Sequence, residues 1–330
     1  MNVGGYFVLT ILYSLIALAV VEALLLLWQI CEPALVLKFR CLILILPPVV
    51  AAPFTLLFPD LRAALSVQDV ALFESEKWLR LFGNNGVVLW LIFVLLAVIG
   101  LATFVFQMVF PVVRRHSRGG RQKEMQTWQY PRLHEVILSI SDSTEGLWRT
   151  VIIDDPRPLA YVRGPWRGRI VLSNALVDAL DAEELEGVLA HELAHIRRGD
   201  VWFSWCIFIL RGLSFYNPVS MLAFNKISLD MERVCDHMAV SITRKPLALA
   251  SALLKVYRTT AGPRGTWRWT ARDRALALRL AAWQSIALQA FLQDRVKRII
   301  GKPAGPELGY ANLRLALAAA ASILLMLSVT

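Results

Sequence analysis

The sequence is short of charge and of cysteine, and each shortage excludes something. Only 18% of its 330 residues are charged against 57% hydrophobic, a balance too apolar for an ordinary soluble domain. The four cysteines, Cys31, Cys41, Cys206 and Cys235, form no CxxC pair and lie in or beside apolar segments. Neither a disulfide framework nor a cysteine zinc cluster is expected. No separate basic module carries the formal charge of +10; the Lys and Arg residues gather beside apolar runs, where anionic headgroups are the natural partner. No direct nucleic-acid binding is expected.

What the chain does have is long uncharged runs. Tyr6–Ile30 is uncharged except for Glu22. At ~1.5 Å per helical residue it crosses a ~30 Å hydrocarbon core with length to spare. It is too long for a signal-peptide core and has no basic region before it, so it reads as an uncleaved span. Cys41–Phe58 is a second span, which Pro47 and Pro48 should kink or split. Val87–Val113 is the third, and the shorter run Leu315–Val329 the last. Arg114, Arg115, Arg118, Arg121 and Lys123 crowd the end of the third span and place that end in the cytoplasm. Reading backwards, 60–85 is outside, a short 31–41 loop with Lys38 and Arg40 is inside, and the N-terminus is outside. The expected organisation is a membrane domain over 1–113, a cytoplasmic domain over 114–304, and a last span within 305–330 whose end is outside. The expected location is a bacterial inner membrane.

Within the cytoplasmic stretch the patterning turns globular. Thr150–Ile153, Leu159–Val162 and Arg169–Ser173 read as short strands of a small sheet. Asp181 and Glu184 have capping-box spacing, and the helix they start should run to about Arg198 before Gly199. Helices are also expected over Met221–Thr243, Leu247–Thr259 and Ala271–Ile300. Gly, Pro, Arg and Trp residues make 261–270 a loop, either a plain linker or a self-cleavage or substrate-docking segment.

The chemistry sits on the capped helix. His191-Glu192-Leu193-Ala194-His195 is an HExxH pattern: one turn between the histidines puts both imidazoles on one face at zinc-ligand spacing, with Glu192 alongside as general base. A catalytic zinc site needs a third protein ligand. Glu232 is the best candidate, because Asp236 stands one turn on and can orient a ligand imidazole from behind. Cys235 and His237 are weaker candidates. Asp200 is either behind His195 or merely a helix-end carboxylate. For the oxyanion donor Tyr216, His237, Arg295 and Arg298 stay open.

A single crossing by Val201–Phe224 would carry Glu232 to the far side of the membrane from His195. Arg211, Gly212 and Asn217-Pro218 interrupt that run, so 201–224 is expected to form a hairpin that dips into or lies against the cytoplasmic leaflet.

These segments resemble a family, the antirepressor zinc metallopeptidases of bacterial β-lactam-resistance sensors. The likeness rests on RIVLSNALVDALDAEELEGVLAHELAHIRRGD (169–200), FYNPVSMLAF (215–224), MERVCDHMAV (231–240) and, more loosely, DRVKRIIG (294–301). Asn217-Pro218 and the Glu232, Cys235, Asp236 grouping favour it over the CaaX-protease and heat-shock membrane-protease family. The resemblance implies a mainly α membrane protein with transmembrane helices and a cytoplasmic α+β gluzincin-type zinc peptidase domain. It implies one Zn2+ held by His191, His195 and Glu232, with Glu192 as catalytic base. It also implies a peptide or protein substrate, either a cytoplasmic repressor or the chain itself. In that family an extracellular penicillin-binding domain follows the last span, and none is expected here after Thr330. The rival roles are a membrane-protein quality-control protease and a non-catalytic scaffold that keeps a zinc fold.

Overall fold

The architecture comes from a computed structural model, which describes residues 3–52, 124–125, 129–140, 150–164, 168–260, 289–290, 292–301 and 310–328, with six scattered helical positions between 91 and 102. Most of the third expected span, the basic run at 114–123, the loop at 261–270 and most of the helix expected from Ala271 lie outside the described residues. The chain divides into two compact units, one comprising Met1–Arg118, Trp205–Met231 and Ala304–Thr330, the other Gly119–Ser204 and Glu232–Pro303.

In the first unit, α1 (Val3–Leu27) and α2 (Pro33–Ala52) come first in the chain and α10 (Ala311–Ser328) last. Leu9, Tyr13, Ala17, Val21 and Leu25 repeat every four residues on α1 and are all buried in one apolar cluster. Leu35, Phe39, Ile43, Leu46 and Val50 of α2 meet them there, with Ala318 and Met326 of α10. The other faces are equally apolar but open, with Leu15, Leu26, Val49 and Leu324 all exposed. A helix apolar all round suits hydrocarbon and not water. Leu9–Leu27 and Pro33–Ala51 are long and apolar enough to cross a membrane, while Ala311–Leu327 is shorter.

Two expectations need correcting. Lys38 and Arg40 are not in a loop, because α2 starts at Pro33, a position where the missing proline N–H has no helical partner to lose. Nor do Pro47 and Pro48 split that helix, which continues to Ala52. Each removes one rung of the ladder, and the buried Ile43, Leu44, Leu46, Val50 and Ala51 on either side hold the segment by packing.

The second unit carries a four-stranded sheet in the order β1 (Glu124–Met125), β2 (Thr150–Ile153), β4 (Arg169–Ser173), β3 (Ala160–Arg163). β2 and β4 are parallel, and the outer two strands are antiparallel to their neighbours. The chain then enters α4 (Asn174–Ala179) and α5 (Ala182–Arg198). Leu185, Val188 and Leu189 of α5 share a core with Ile152, Ile170 and Leu172 of the sheet and with Leu133, Val136 and Ile137 of α3 (Pro131–Ile140). α8 (Pro246–Thr260) packs close, since a Cβ on Gly187 would stand 3.2 Å from the Leu249 backbone. α6 (Asp200–Leu213) and α7 (Pro218–Thr243) follow α5 in the chain, and each is shared between the two units. A last described helix, α9, covers 292–300. Residues 205–231, which include most of the expected hairpin, group with the apolar helices, and Val219 and Ala223 of α7 are buried in the α1–α2 cluster.

Candidate metal centre

The site begins with the way α5 is capped. Asp181 accepts from the Glu184 backbone N–H at 2.9 Å and Glu184 accepts from that of Asp181 at 3.0 Å, the reciprocal pair a capping box requires. Glu184 also accepts from Ser251 Oγ and Lys255 Nζ, each at 2.6 Å, which ties α5 to α8. At the other end Gly199 takes φ 67°, a left-handed conformation that glycine adopts without a Cβ clash. The chain therefore turns at once into α6, and Asp200 comes back beside the last turn of α5.

Between these ends, His191 and His195 put their Nε2 atoms 3.2 Å apart. Glu232 of α7 joins them, with Oε2 3.5 Å from His191 Nε2 and Oε1 3.8 Å from His195 Nε2. Ligands ~2.0–2.1 Å from a tetrahedral zinc stand ~3.3 Å from one another, so these three groups have the spacing of a ligand set. Behind each imidazole is a carboxylate: Asp236 Oδ1 lies 3.1 Å from His191 Nδ1 and Asp200 Oδ2 lies 2.7 Å from His195 Nδ1. Of the two, only the His195 contact is aligned as a hydrogen bond; an Nδ1 that donates to a carboxylate leaves the Nε2 lone pair for a metal.

The electrostatics also favour a cation. Burial by itself would lower the His191 pKa, yet Asp236 and Glu232 raise it to about 10. Burial would raise the Glu232 and Asp236 carboxyls, but His191 and Arg295 hold both near a pKa of about 2. Carboxylates that favour a proton on His191 favour a divalent ion between the Nε2 atoms for the same reason. Glu192 is buried at 7% exposure, and burial pushes its carboxyl up, the direction a general base near neutral pH requires.

Among the described residues a second group, His195, Asp200 and Cys235, could also surround an ion. It is the poorer ligand set. His195 Nδ1 is already engaged by Asp200, and the Cys235 thiol lies 3.2 Å from Asp200 Oδ2. Burial and Asp200 push that thiol's pKa up, whereas a metal ligand must be a thiolate.

Of the oxyanion candidates in the second unit, Arg295 is the one that the described contacts bring to this centre. Its Nε and Nη2 donate to Asp236 at 2.7 and 2.6 Å, and Nη1 is 3.2 Å from Glu232 Oε2. Arg298 is exposed and pairs with Asp294 of its own helix. His237 is exposed. Tyr216 belongs to the first unit, where its hydroxyl lies 2.9 Å from Thr10 Oγ1. Sequence reasoning left Asp200 undecided. The signal was Gly199, since a left-handed cap is what returns the next residue to the helix it ends.

Comparison with known proteins agrees with this geometry. Residues 63–282 match the family described as BlaR1 peptidase M56. A protein named protease HtpX homolog from Tropheryma whipplei is 29% identical over 163 residues, 38% of this chain and 56% of the relative. The one of the same name from Dictyoglomus thermophilum is 33% identical over 141 residues, 32% of this chain and 46% of the relative. The chain thus spans about half the length of the curated relatives it matches. No solved structure matches. Since the family match covers more than half of the sequence and contains both the two-histidine helix and the carboxylate helix opposite, the chain belongs to the BlaR1 peptidase M56 family.

Proposed function

We propose that this protein is a membrane-integral zinc endopeptidase of gluzincin type, with His191, His195 and Glu232 as ligands and Glu192 as general base. One observation carries the reading: three donor groups from two helices converge at zinc-ligand spacing beside a buried glutamate. A bound zinc would supply Lewis acidity to the scissile carbonyl and to a water. Glu192 takes a proton from the attacking water and returns it to the leaving amine. Asp236 and Asp200 keep the two imidazoles in the tautomer that presents Nε2. The HExxH spacing and the family match support this chemistry, and the apolar helices α1 and α2 support membrane integration.

For topology we infer an outside N-terminus, a cytoplasmic peptidase unit and an outside C-terminus, supported by the basic residues that follow the third expected span. The biological role we favour is a regulatory protease that cleaves a cytoplasmic partner such as a transcriptional repressor, or itself. The resemblance of 169–200, 215–224 and 231–240 to antirepressor peptidases supports it. A second reading, a quality-control protease for membrane proteins, is supported by the relatives named protease HtpX homolog. Comparing the fragments that accumulate in cells with active protein and with Glu192→Gln tests both. One or a few discrete soluble products fit a regulator, and many membrane-protein fragments fit quality control. Identical fragment sets in the two strains would leave only the non-catalytic scaffold.

A further inference from the structure

Arg295 does more than stand near the centre. Its guanidinium forks onto both oxygens of Asp236 and reaches Glu232 Oε2 with its remaining nitrogen. Asp236 Oδ1, one of the two oxygens it grips, is the oxygen that faces His191 Nδ1. One cation therefore bears on two members of the proposed ligand set, on Glu232 directly and on His191 through Asp236. Its hold on Glu232 is also asymmetric. Oε2, 3.5 Å from His191 Nε2, is the oxygen that Arg295 Nη1 meets, while Oε1 lies 3.8 Å from His195 Nε2. The side chain is buried at 7% exposure, and α9 brings it in from beyond the matched segment, which ends at 282.

Resting on the zinc reading above, we propose that Arg295 is a positioning residue: it sets the geometry and affinity of the metal site by locking Glu232 and Asp236, and it is not the oxyanion donor. A planar fork is needed because lysine offers a single point of charge and cannot grip both oxygens of Asp236 while touching Glu232. A neighbouring contact separates this role from simple docking of the helix. Asp294, one residue before Arg295, accepts from Arg233 Nη2 at 2.6 Å, and Arg233 is one residue past Glu232. The same two helices are thus joined by a second ion pair, between residues that are not themselves in the proposed ligand set.

The test measures zinc affinity by chelator competition on the purified full chain. Wild type should bind one zinc and His191→Ala should not. If wild type binds none, the zinc reading fails and this proposal with it. With that baseline, Arg295→Ala and Arg295→Lys should each lose about 10–100-fold in affinity, the usual effect of losing a group that orients a metal ligand. Arg233→Ala, which breaks the docking pair, should stay within about twofold of wild type. In cobalt-loaded protein the visible bands, which report ligand geometry, should shift in Arg295→Lys and not in Arg233→Ala. Arg295→Gln keeps most of the side-chain volume and replaces the alanine variant if that one does not fold. Wild-type affinity in the lysine and glutamine variants overturns the proposal, as does an equal loss in Arg233→Ala, and either result leaves the zinc reading standing.

Discussion

His195 Nδ1 and Asp200 Oδ2 are 2.7 Å apart across the left-handed turn at Gly199. The contact joins the end of one helix to the start of the next and fixes which nitrogen of His195 faces Glu232. Asp200→Asn has nearly the same shape but can present its amide N–H to the ring, which undoes the tautomer preference. Zinc affinity should fall about 10–100-fold with far-UV circular dichroism unchanged. Full affinity in Asp200→Asn would make the contact incidental.

Removing the proposed general base and removing a proposed ligand should have different signatures. Glu192→Gln should keep zinc and lose at least about 10²–10⁴-fold in peptide hydrolysis. Glu232→Ala should lose metal together with activity. Elemental analysis beside a casein or self-cleavage assay separates the two. Normal zinc in Glu232→Ala would move the third ligand elsewhere, and wild-type turnover in metal-replete Glu192→Gln would remove Glu192 from the chemistry.

The α5 cap gives a pH dependence of defined sign. Burial raises the Glu184 carboxyl, but Lys255, Ser251 and the Asp181 N–H together bring it below its ordinary 4.5. A folded-state pKa below the unfolded one adds stability that is present above about pH 4.5 and is lost as pH falls through the depressed value. Glu184→Gln should therefore destabilise by about 1–2 kcal/mol at pH 7, allowing for the solvent-exposed lysine. The difference from wild type should shrink steadily in more acid buffer. Denaturant titrations of both proteins at neutral and acid pH check this, and a gap that stays constant or widens in acid would contradict it.

Much of the site could be read from residue spacing, since each half is a one-turn helical repeat. His191 and His195 share a face of α5, Glu232 and Asp236 share a face of α7, and Asp181 and Glu184 mark where α5 begins. The capped helix and the strands at 150–153 and 169–173 came out at their expected bounds. What spacing cannot give is contact between distant segments. Arg295 and Asp236 are 59 residues apart, and no local period says whether an arginine faces an oxyanion or a carboxylate. The start of α2 was misplaced for a related reason. Lys38 and Arg40 look like loop charges, yet Arg40 is held on a helix because Glu22 and Asp230 both meet it.

That cluster makes its own prediction. Arg40 Nη1 donates to Asp230 Oδ2 at 2.7 Å, and Asp230 is 1% exposed. Glu22 receives Arg40 at 3.2 Å and Lys226 at 2.8 Å. Deleting one partner of a buried pair leaves an uncompensated charge and typically costs about 3–5 kcal/mol. Asp230→Ala should therefore melt well below wild type in detergent, whereas Lys226→Ala, at the exposed rim, should change little. Equal melting of the two variants would show that burial of Asp230 does not matter.

The same helices define how far the 201–224 hairpin reaches. The turn before α7 packs on the first half of α1: Tyr216 OH meets Thr10 Oγ1, and Asn217 Nδ2 donates to Ser14 Oγ at 2.8 Å. Asn217 Oδ1 meanwhile accepts from the N–H groups of Val219 and Ser220 and so caps α7. Further along, Lys226 and Asp230 reach the level of Glu22 and Arg40. From Thr10 to Glu22 is ~18 Å of helix and from Asn217 to Asp230 ~20 Å, so α7 runs beside α1 in the same direction over that length. If α1 spans the bilayer with the Glu22 and Arg40 cluster at one edge of the span, the turn at 214–217 lies beyond the middle of a ~30 Å hydrocarbon core. Polar side chains at such depth need each other as partners, which is what Thr10, Ser14, Tyr216 and Asn217 provide. A nitroxide placed at Phe215 in a lipid nanodisc should collide with dissolved oxygen more than with a water-soluble nickel complex, and one at His237 should show the reverse. Equal exposure of both labels to the nickel complex would put the hairpin in water.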